Sequence, residues 1–134
     1  MKKMKSLLAV ATIMMLAFTT LSAQNNASVI AVMNRADWCP ACEKHGERAM
    51  TALMKANGDN LVRFVVNDVT DDETKESSAL KLSETGLDAE KTASMKSTGV
   101  VYFFNAGTKE LISSISMSKD DAVLVDAMKE AVNK

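Results

Sequence analysis

Cysteine and proline are almost missing from this 134-residue chain. It holds two cysteines and one proline, and all three fall within Trp38-Cys39-Pro40-Ala41-Cys42. Tryptophan, tyrosine and histidine each occur once. With no second CxxC pair, a four-ligand structural zinc site lacks half of its usual donors. A purely structural disulfide is also disfavoured, because a bridge closing so short a loop restrains the unfolded chain little. The chain has no internal repeat, no low-complexity tract and no second composition block. It also has no excess of positive charge, so nucleic acid is not an expected partner.

The first residues have the pattern of a cleavable export signal. Lys2, Lys3 and Lys5 form a positive start, Leu7 to Phe18 an apolar run, and Ser22-Ala23 a small-residue cleavage region ahead of Gln24. The apolar run is short for a bilayer span, so cleavage is expected rather than stable membrane insertion. No cysteine follows the cleavage region that could carry a lipid. Residues 1–23 are therefore expected to be removed, and residues 24–134 to form one domain. Three of the 16 lysines and arginines lie in the signal, leaving 13 against 17 acidic residues, or about −4. The expected location is periplasmic or secreted, by analogy of the signal with bacterial ones. Outside the inner membrane no glutathione pool keeps thiols reduced, so the redox state of an exported CxxC depends on a partner protein.

The CxxC stretch lies where an apolar strand should hand over to a helix. With two residues between them, both thiols can lie on the first helical turn, close enough to form and open a small disulfide ring. Pro40 suits the first helical position, where its missing N–H costs nothing and its fixed φ matches the helix. Cys39 is then at the helix start, where unpaired amides and the positive end of the dipole favour a thiolate. These features make Cys39 the expected nucleophile. Cys42, about one turn on, is expected to be the more shielded and to resolve a mixed disulfide formed at Cys39. Trp38 is expected to cover one side of the pair.

Secondary structure follows from the periodicity. Val29 to Met33 is an unbroken apolar run, as in a central strand covered on both faces. After the cysteines, Gly46, Ala49, Met50 and Leu53 recur at helical spacing, and Asn57-Gly58 is a helix stop. Leu61 to Val66 is a second strand, and the order strand, helix, strand implies a parallel pair. Glu73 to Leu82 reads as a helix interrupted by Gly86, with Asp88 capping a second short helix reaching about Lys96. The acidic cluster Asp68, Asp71, Asp72 and Glu73 is expected to be a solvated loop and a helix first turn rather than a metal site. Val100 to Phe104 and Leu111 to Met117 form a hairpin around Ala106-Gly107-Thr108. A final helix from about Lys119 buries Leu124, Ala127, Met128 and Ala131. The six methionines after the signal mostly fall on these apolar faces, where they fill the core.

The order of elements and the motif Ala36-Asp37-Trp38-Cys39-Pro40-Ala41-Cys42 together resemble thioredoxin, over about Ser28 to the C-terminus. The resemblance implies an α/β, thioredoxin-like three-layer sandwich with an approximately four-stranded mixed sheet and helices on both faces. It omits the first strand and helix of a full thioredoxin. It also implies a thiol-disulfide oxidoreductase, with Cys39 attacking and Cys42 resolving. The domain is expected to be a monomer without a cofactor, acting on protein thiols or disulfides with a redox partner protein.

This chain departs from the family's pattern at three places. Thr98-Gly99 stands where thioredoxins place a cis-proline opposite the CxxC. A cis bond before a non-proline residue costs about 2.5–4 kcal/mol, so this peptide is expected to be trans. Met33 replaces the buried aspartate six residues before the first cysteine, so the family's carboxylate for proton transfer is missing. The intervening pair is Pro-Ala rather than Gly-Pro, which leaves reduction and oxidation both open.

His45, three residues after Cys42, falls on roughly the same helical face. Its ordinary reading is a partly exposed helix residue without a role. The alternative is a proton carrier, or a third soft ligand beside Cys39 and Cys42 in a periplasmic copper- or zinc-binding module. A thioredoxin-fold binding module with an inert disulfide is a third reading.

Overall fold

A computed structural model describes residues 26–134. The expected signal segment, residues 1–23, lies outside the described residues. Eight elements follow in the order β1 (Val29–Arg35), α1 (Pro40–Ala56), β2 (Val62–Asp68), α2 (Asp72–Glu84), α3 (Ala89–Thr92), β3 (Val100–Asn105), β4 (Leu111–Ser116) and α4 (Asp121–Val132). The sheet order is β2-β1-β3-β4. β1 runs parallel to β2 and antiparallel to β3, and β3 is antiparallel to β4. The parallel pair and the hairpin are both as the sequence predicts.

The unbroken apolar run of β1 has the expected cause. Val29, Ala31 and Met33 enter a core shared with Ala49 and Leu53 of α1 and with Leu124, Met128 and Ala131 of α4. Ile30 and Val32 enter a second core with Leu82 of α2 and Leu87. β3 divides in the same way, Val101 and Phe103 joining the first core and Tyr102 and Phe104 the second. A strand buried on both faces has no polar side left, so alternation disappears from its sequence. The layers are α1 and α4, the sheet, and α2. The fold is thioredoxin-like.

The helix ends show which local signals operate. Asp71 caps α2 in a reciprocal box: its carboxylate accepts from the Thr74 N–H at 2.8 Å, and its own N–H donates to Thr74 Oγ1 at 3.0 Å. α2 closes with Gly86 N–H donating to Ser83 and Leu87 N–H to Leu82, with Gly86 at φ +84°. This is a Schellman ending, and its Leu82–Leu87 contact is buried. At α1 the stop is Asn57 itself, whose side chain donates to the Val62 carbonyl and accepts from the Val62 N–H. The adjacent positive φ belongs to Asn60 rather than Gly58.

Element boundaries shift by a few residues from the sequence expectation. The second short helix ends at Thr92 rather than near Lys96, because the Thr92 carbonyl accepts from Met95 and the chain leaves helical geometry. In the hairpin the left-handed residue is Lys109 (φ +64°), while Asn105 Oδ1 holds the turn by accepting from the N–H groups of Gly107 and Thr108.

Of the six methionines after the signal, Met33, Met117 and Met128 are buried and Met54 is exposed. No helix among the described residues is long and apolar enough to cross a membrane. Phe103 is fully buried between the central strand and the α1–α4 layer. Phe103→Ala is expected to lower the unfolding free energy by about 3–5 kcal/mol, measured by urea denaturation.

Candidate functional site

The end of β1 delivers the chain through a short turn to the start of α1. Ala36 is fully buried and its carbonyl accepts from the Cys39 N–H at 3.1 Å, closing a tight turn. Cys39 is the N-cap of α1, in extended geometry (φ −91°, ψ 110°), and Pro40 begins the helix. The Sγ of Cys39 accepts from the Cys42 N–H at 3.2 Å, so a sulfur takes the capping role that a serine or aspartate oxygen usually has. Cys39 and Cys42 form a disulfide, with their Cα atoms 5.3 Å apart.

The two sulfurs do not differ in shielding as the sequence suggested. Cys39 is 3% exposed and Cys42 6%, and both belong to the α1–α4 core. The expected contrast fails because the turn at Ala36 and the backbone of Gly99 close over the helix start as tightly as the helix shields Cys42. Trp38 also differs from expectation. It is 62% exposed, with its indole N–H donating to the Thr70 carbonyl at 3.1 Å, so it is turned towards the β2–α2 loop.

Gly99 faces the cysteines, and no peptide bond among the described residues, Thr98–Gly99 included, is cis. Gly99 has φ +75°, and a Cβ built there would lie 3.0 Å from Ala41 Cβ, 3.5 Å from Cys39 Sγ and 3.9 Å from Cys42 Sγ. The Gly99 backbone is fixed in place: its N–H donates to Asn34 at 2.8 Å and its carbonyl accepts from Met117 at 2.8 Å. Met33, where thioredoxins have the buried aspartate, is buried in the same core as both cysteines.

His45 is not grouped with the sulfurs. Its Nδ1 is 3.4 Å from Nη2 of Arg48. Arg48 in turn donates to the carbonyls of Met117 and Lys119 and pairs with Asp121. A ring nitrogen in contact with a cation is a poor metal donor. Among the described residues no three histidine, cysteine or acidic side chains are placed to hold a metal ion. The Cys39, Cys42 and His45 ligand set is thus not assembled.

Two polar anchors around the site escaped the sequence reading. Asn34, buried at the end of β1, donates to the Ser97 carbonyl at 2.9 Å and accepts from Asn67 at 2.8 Å. Tyr102 supports the same loop, its hydroxyl accepting from the Ser97 N–H at 3.2 Å. The other anchor is Asp68, which the sequence placed in a solvated acidic cluster. It pairs with Arg35 at 2.5 Å and accepts from the Thr70 N–H at 2.9 Å and the Thr70 hydroxyl at 2.5 Å. Thr70 Oγ1 accepts from the Asp37 N–H at 2.9 Å, and Arg35 also pairs with Asp37 at 2.7 Å. The available signal was the opposite charge of Arg35 and Asp68, the last residues of two parallel strands, which the register sets side by side.

The charges are tuned accordingly. Burial pushes the Asp68 carboxyl up, but the hydrogen bonds from Thr70 and the charge of Arg35 outweigh it and hold the group below the ordinary carboxylate value. Arg35 is held above its ordinary value, foremost by the hydrogen bond to Asp37, against burial and with the charges of Asp68 and Asp37 adding.

The comparisons with known proteins concern the backbone. The chain is similar to the Trxlp of Edwardsiella tarda (20% identity, 78% of this chain and 85% of that one, TM-score 0.48). It is also similar to the thioredoxin of Fasciola hepatica (15%, 84% and 88%, 0.49) and to that of Malassezia sympodialis (19%, 82% and 82%, 0.49). No protein-family model and no curated protein matches the chain.

A carboxyl whose folded value is depressed stabilises the protein above its unfolded value, about 3.9, and that contribution is lost as pH falls through the folded value. Asp68→Asn is therefore expected to lower stability at pH 7 by about 1–3 kcal/mol. It should also reduce the stability that the wild type loses on acidification below about pH 4, as measured by urea unfolding at a series of pH values.

Proposed function

We propose that this chain is an exported thiol-disulfide oxidoreductase that exchanges disulfides with protein substrates. The observation that carries the reading is the sulfur cap: Cys39 Sγ receives the Cys42 N–H at the positive end of α1, within a disulfide whose Cα atoms lie 5.3 Å apart. In the reducing direction the Cys39 thiolate attacks one sulfur of a substrate disulfide. A mixed disulfide forms and the second substrate sulfur leaves as a thiolate. Cys42, deprotonated, then attacks Cys39 Sγ, the mixed disulfide breaks, and the first substrate sulfur leaves. Two electrons pass to the substrate and the domain ends as the Cys39–Cys42 disulfide. A dithiol partner protein restores it by the reverse exchange. In the oxidising direction the same steps run backwards.

Pro40 sets the helix start and Gly99 borders the pair, while Trp38 is turned towards the β2–α2 loop. The domain acts as a monomer and needs no cofactor. Export rests on Lys2, Lys3, Lys5, the Leu7–Phe18 run and Ser22-Ala23, and places the protein in the periplasm or outside the cell, where a partner protein sets its redox state. The copper- or zinc-binding alternative has no structural observation in its favour, since His45 contacts Arg48.

Cys39→Ser should abolish exchange with a protein disulfide, and Cys42→Ser should accumulate mixed disulfides at Cys39, both visible on non-reducing gels and by mass spectrometry. Full exchange activity in both variants would contradict the proposal.

A further inference from the structure

The far end of α1 carries a reactive pair that the cysteine chemistry does not use. Asn57 is the one asparagine in the chain followed by a glycine, and Gly58 is exposed. A Cβ built at Gly58 would meet nothing within 4 Å, and among the described residues the Gly58 N–H donates to no protein acceptor. Its nitrogen is therefore uncrowded and open to solvent.

The Asn57 carboxamide is held in a way that favours attack on it. At the two ends of β2 the Leu61 carbonyl accepts from Val29 and the Val69 N–H donates to the Arg35 carbonyl. Odd-numbered residues of this stretch thus turn their backbone groups towards β1, and even-numbered ones turn them outwards. On that outer edge Asn57 takes the place of a neighbouring strand at Val62. Its Nδ2 donates to the Val62 carbonyl at 2.7 Å, and its Oδ1 accepts from the Val62 N–H at 3.1 Å. The Val62 N–H is aimed at the oxygen on which negative charge builds when Cγ is attacked.

We propose that Asn57–Gly58 is a covalent modification site, at which Asn57 deamidates within the native fold to aspartate and isoaspartate. The Gly58 nitrogen gives its proton to water or hydroxide and attacks Asn57 Cγ. The N–Cγ bond forms, the Cγ–Nδ2 bond breaks, and the leaving nitrogen takes up a proton and departs as ammonia. Water then opens the cyclic imide at either of its two carbonyls, giving the two acids. The net reaction is asparagine plus water to acid plus ammonia, with no change in oxidation state. A carboxylate accepts but cannot donate. The aspartyl product therefore keeps a partner for the Val62 N–H, leaves the Val62 carbonyl without its donor, and weakens the junction of α1 with β2. The cysteines lie at the other end of α1 and take no part, so the proposal stands apart from the redox reading.

The test incubates the full mature chain under native conditions at neutral pH, with peptide mapping by mass spectrometry and enzymatic labelling of isoaspartate. Asn57 should convert before any other asparagine and give both acids. Gly58→Ala meets open space at a backbone without positive φ, so it should fold. It should slow the conversion about tenfold, because a Cβ crowds the attacking nitrogen and misaligns its approach. Asn57→Asp, which reproduces the aspartyl product, should raise the unfolding equilibrium constant about tenfold in urea denaturation. Conversion of Asn57 in the urea-unfolded chain but not in the folded one, or an unchanged rate in Gly58→Ala, would overturn the proposal. An Asn57→Asp protein as stable as the wild type would overturn the structural cost assigned to the product.

Discussion

The structure depends on how the first turn of α1 is terminated. Every helix begins with N–H groups that lack an intrahelical partner, and here one of them is satisfied by the sulfur of Cys39. A neutral hydroxyl would serve the helix equally well. A sulfur adds the capacity to bear charge at a site where the backbone dipole favours a negative one. Its neighbour one turn on, Cys42, is the donor of that hydrogen bond and the other half of the disulfide. The cap, the proposed nucleophile and the bridge thus use the same few atoms.

The remainder of the sheet end holds this turn still. Three chain segments meet there: the β1–α1 turn, the start of the β2–α2 loop and the loop before β3. Arg35, Asp68 and Thr70 join the first two, and Asn34, through Ser97 and Gly99, joins the third. Asn34, Arg35 and Asp68 each lie at a strand's last or next-to-last residue, where the backbone direction is already fixed by the parallel register. A charged pair at the surface contributes little by itself, but one that shares its carboxylate with two hydrogen bonds resists rearrangement better than an isolated pair. Trp38, tied by its indole to Thr70, is oriented by the same network.

The fold was legible where local signals agree with tertiary ones. The apolar runs Val29–Met33 and Val100–Phe104, the Asn57 and Gly86 stops, and the Asp88 cap each follow from a few adjacent residues. The Pro40 helix start and the trans Thr98–Gly99 peptide were legible for the same reason. Features created by distant residues were not. Nothing near Cys39 in sequence announces that Gly99 would bury it as deeply as Cys42, so the expected contrast in shielding was drawn from helix position alone. Trp38 was expected over the sulfurs because it adjoins them, but its partner is Thr70, thirty-two residues away. Asp68 was read with its acidic neighbours, whereas its role comes from Arg35 across the strand pair. His45 has the helical spacing for the Cys42 side, yet Arg48, one turn further, holds its ring.

The central claim is that Cys39, and not Cys42, is the attacking sulfur, because of its place at the helix start rather than because of exposure. The most direct measurement is the order in which iodoacetamide alkylates the two thiols of the freshly reduced protein at neutral pH, resolved by mass spectrometry of the peptides. The account predicts that Cys39 is modified first and nearly completely before Cys42 reacts. Equal rates, or modification of Cys42 first, would contradict it.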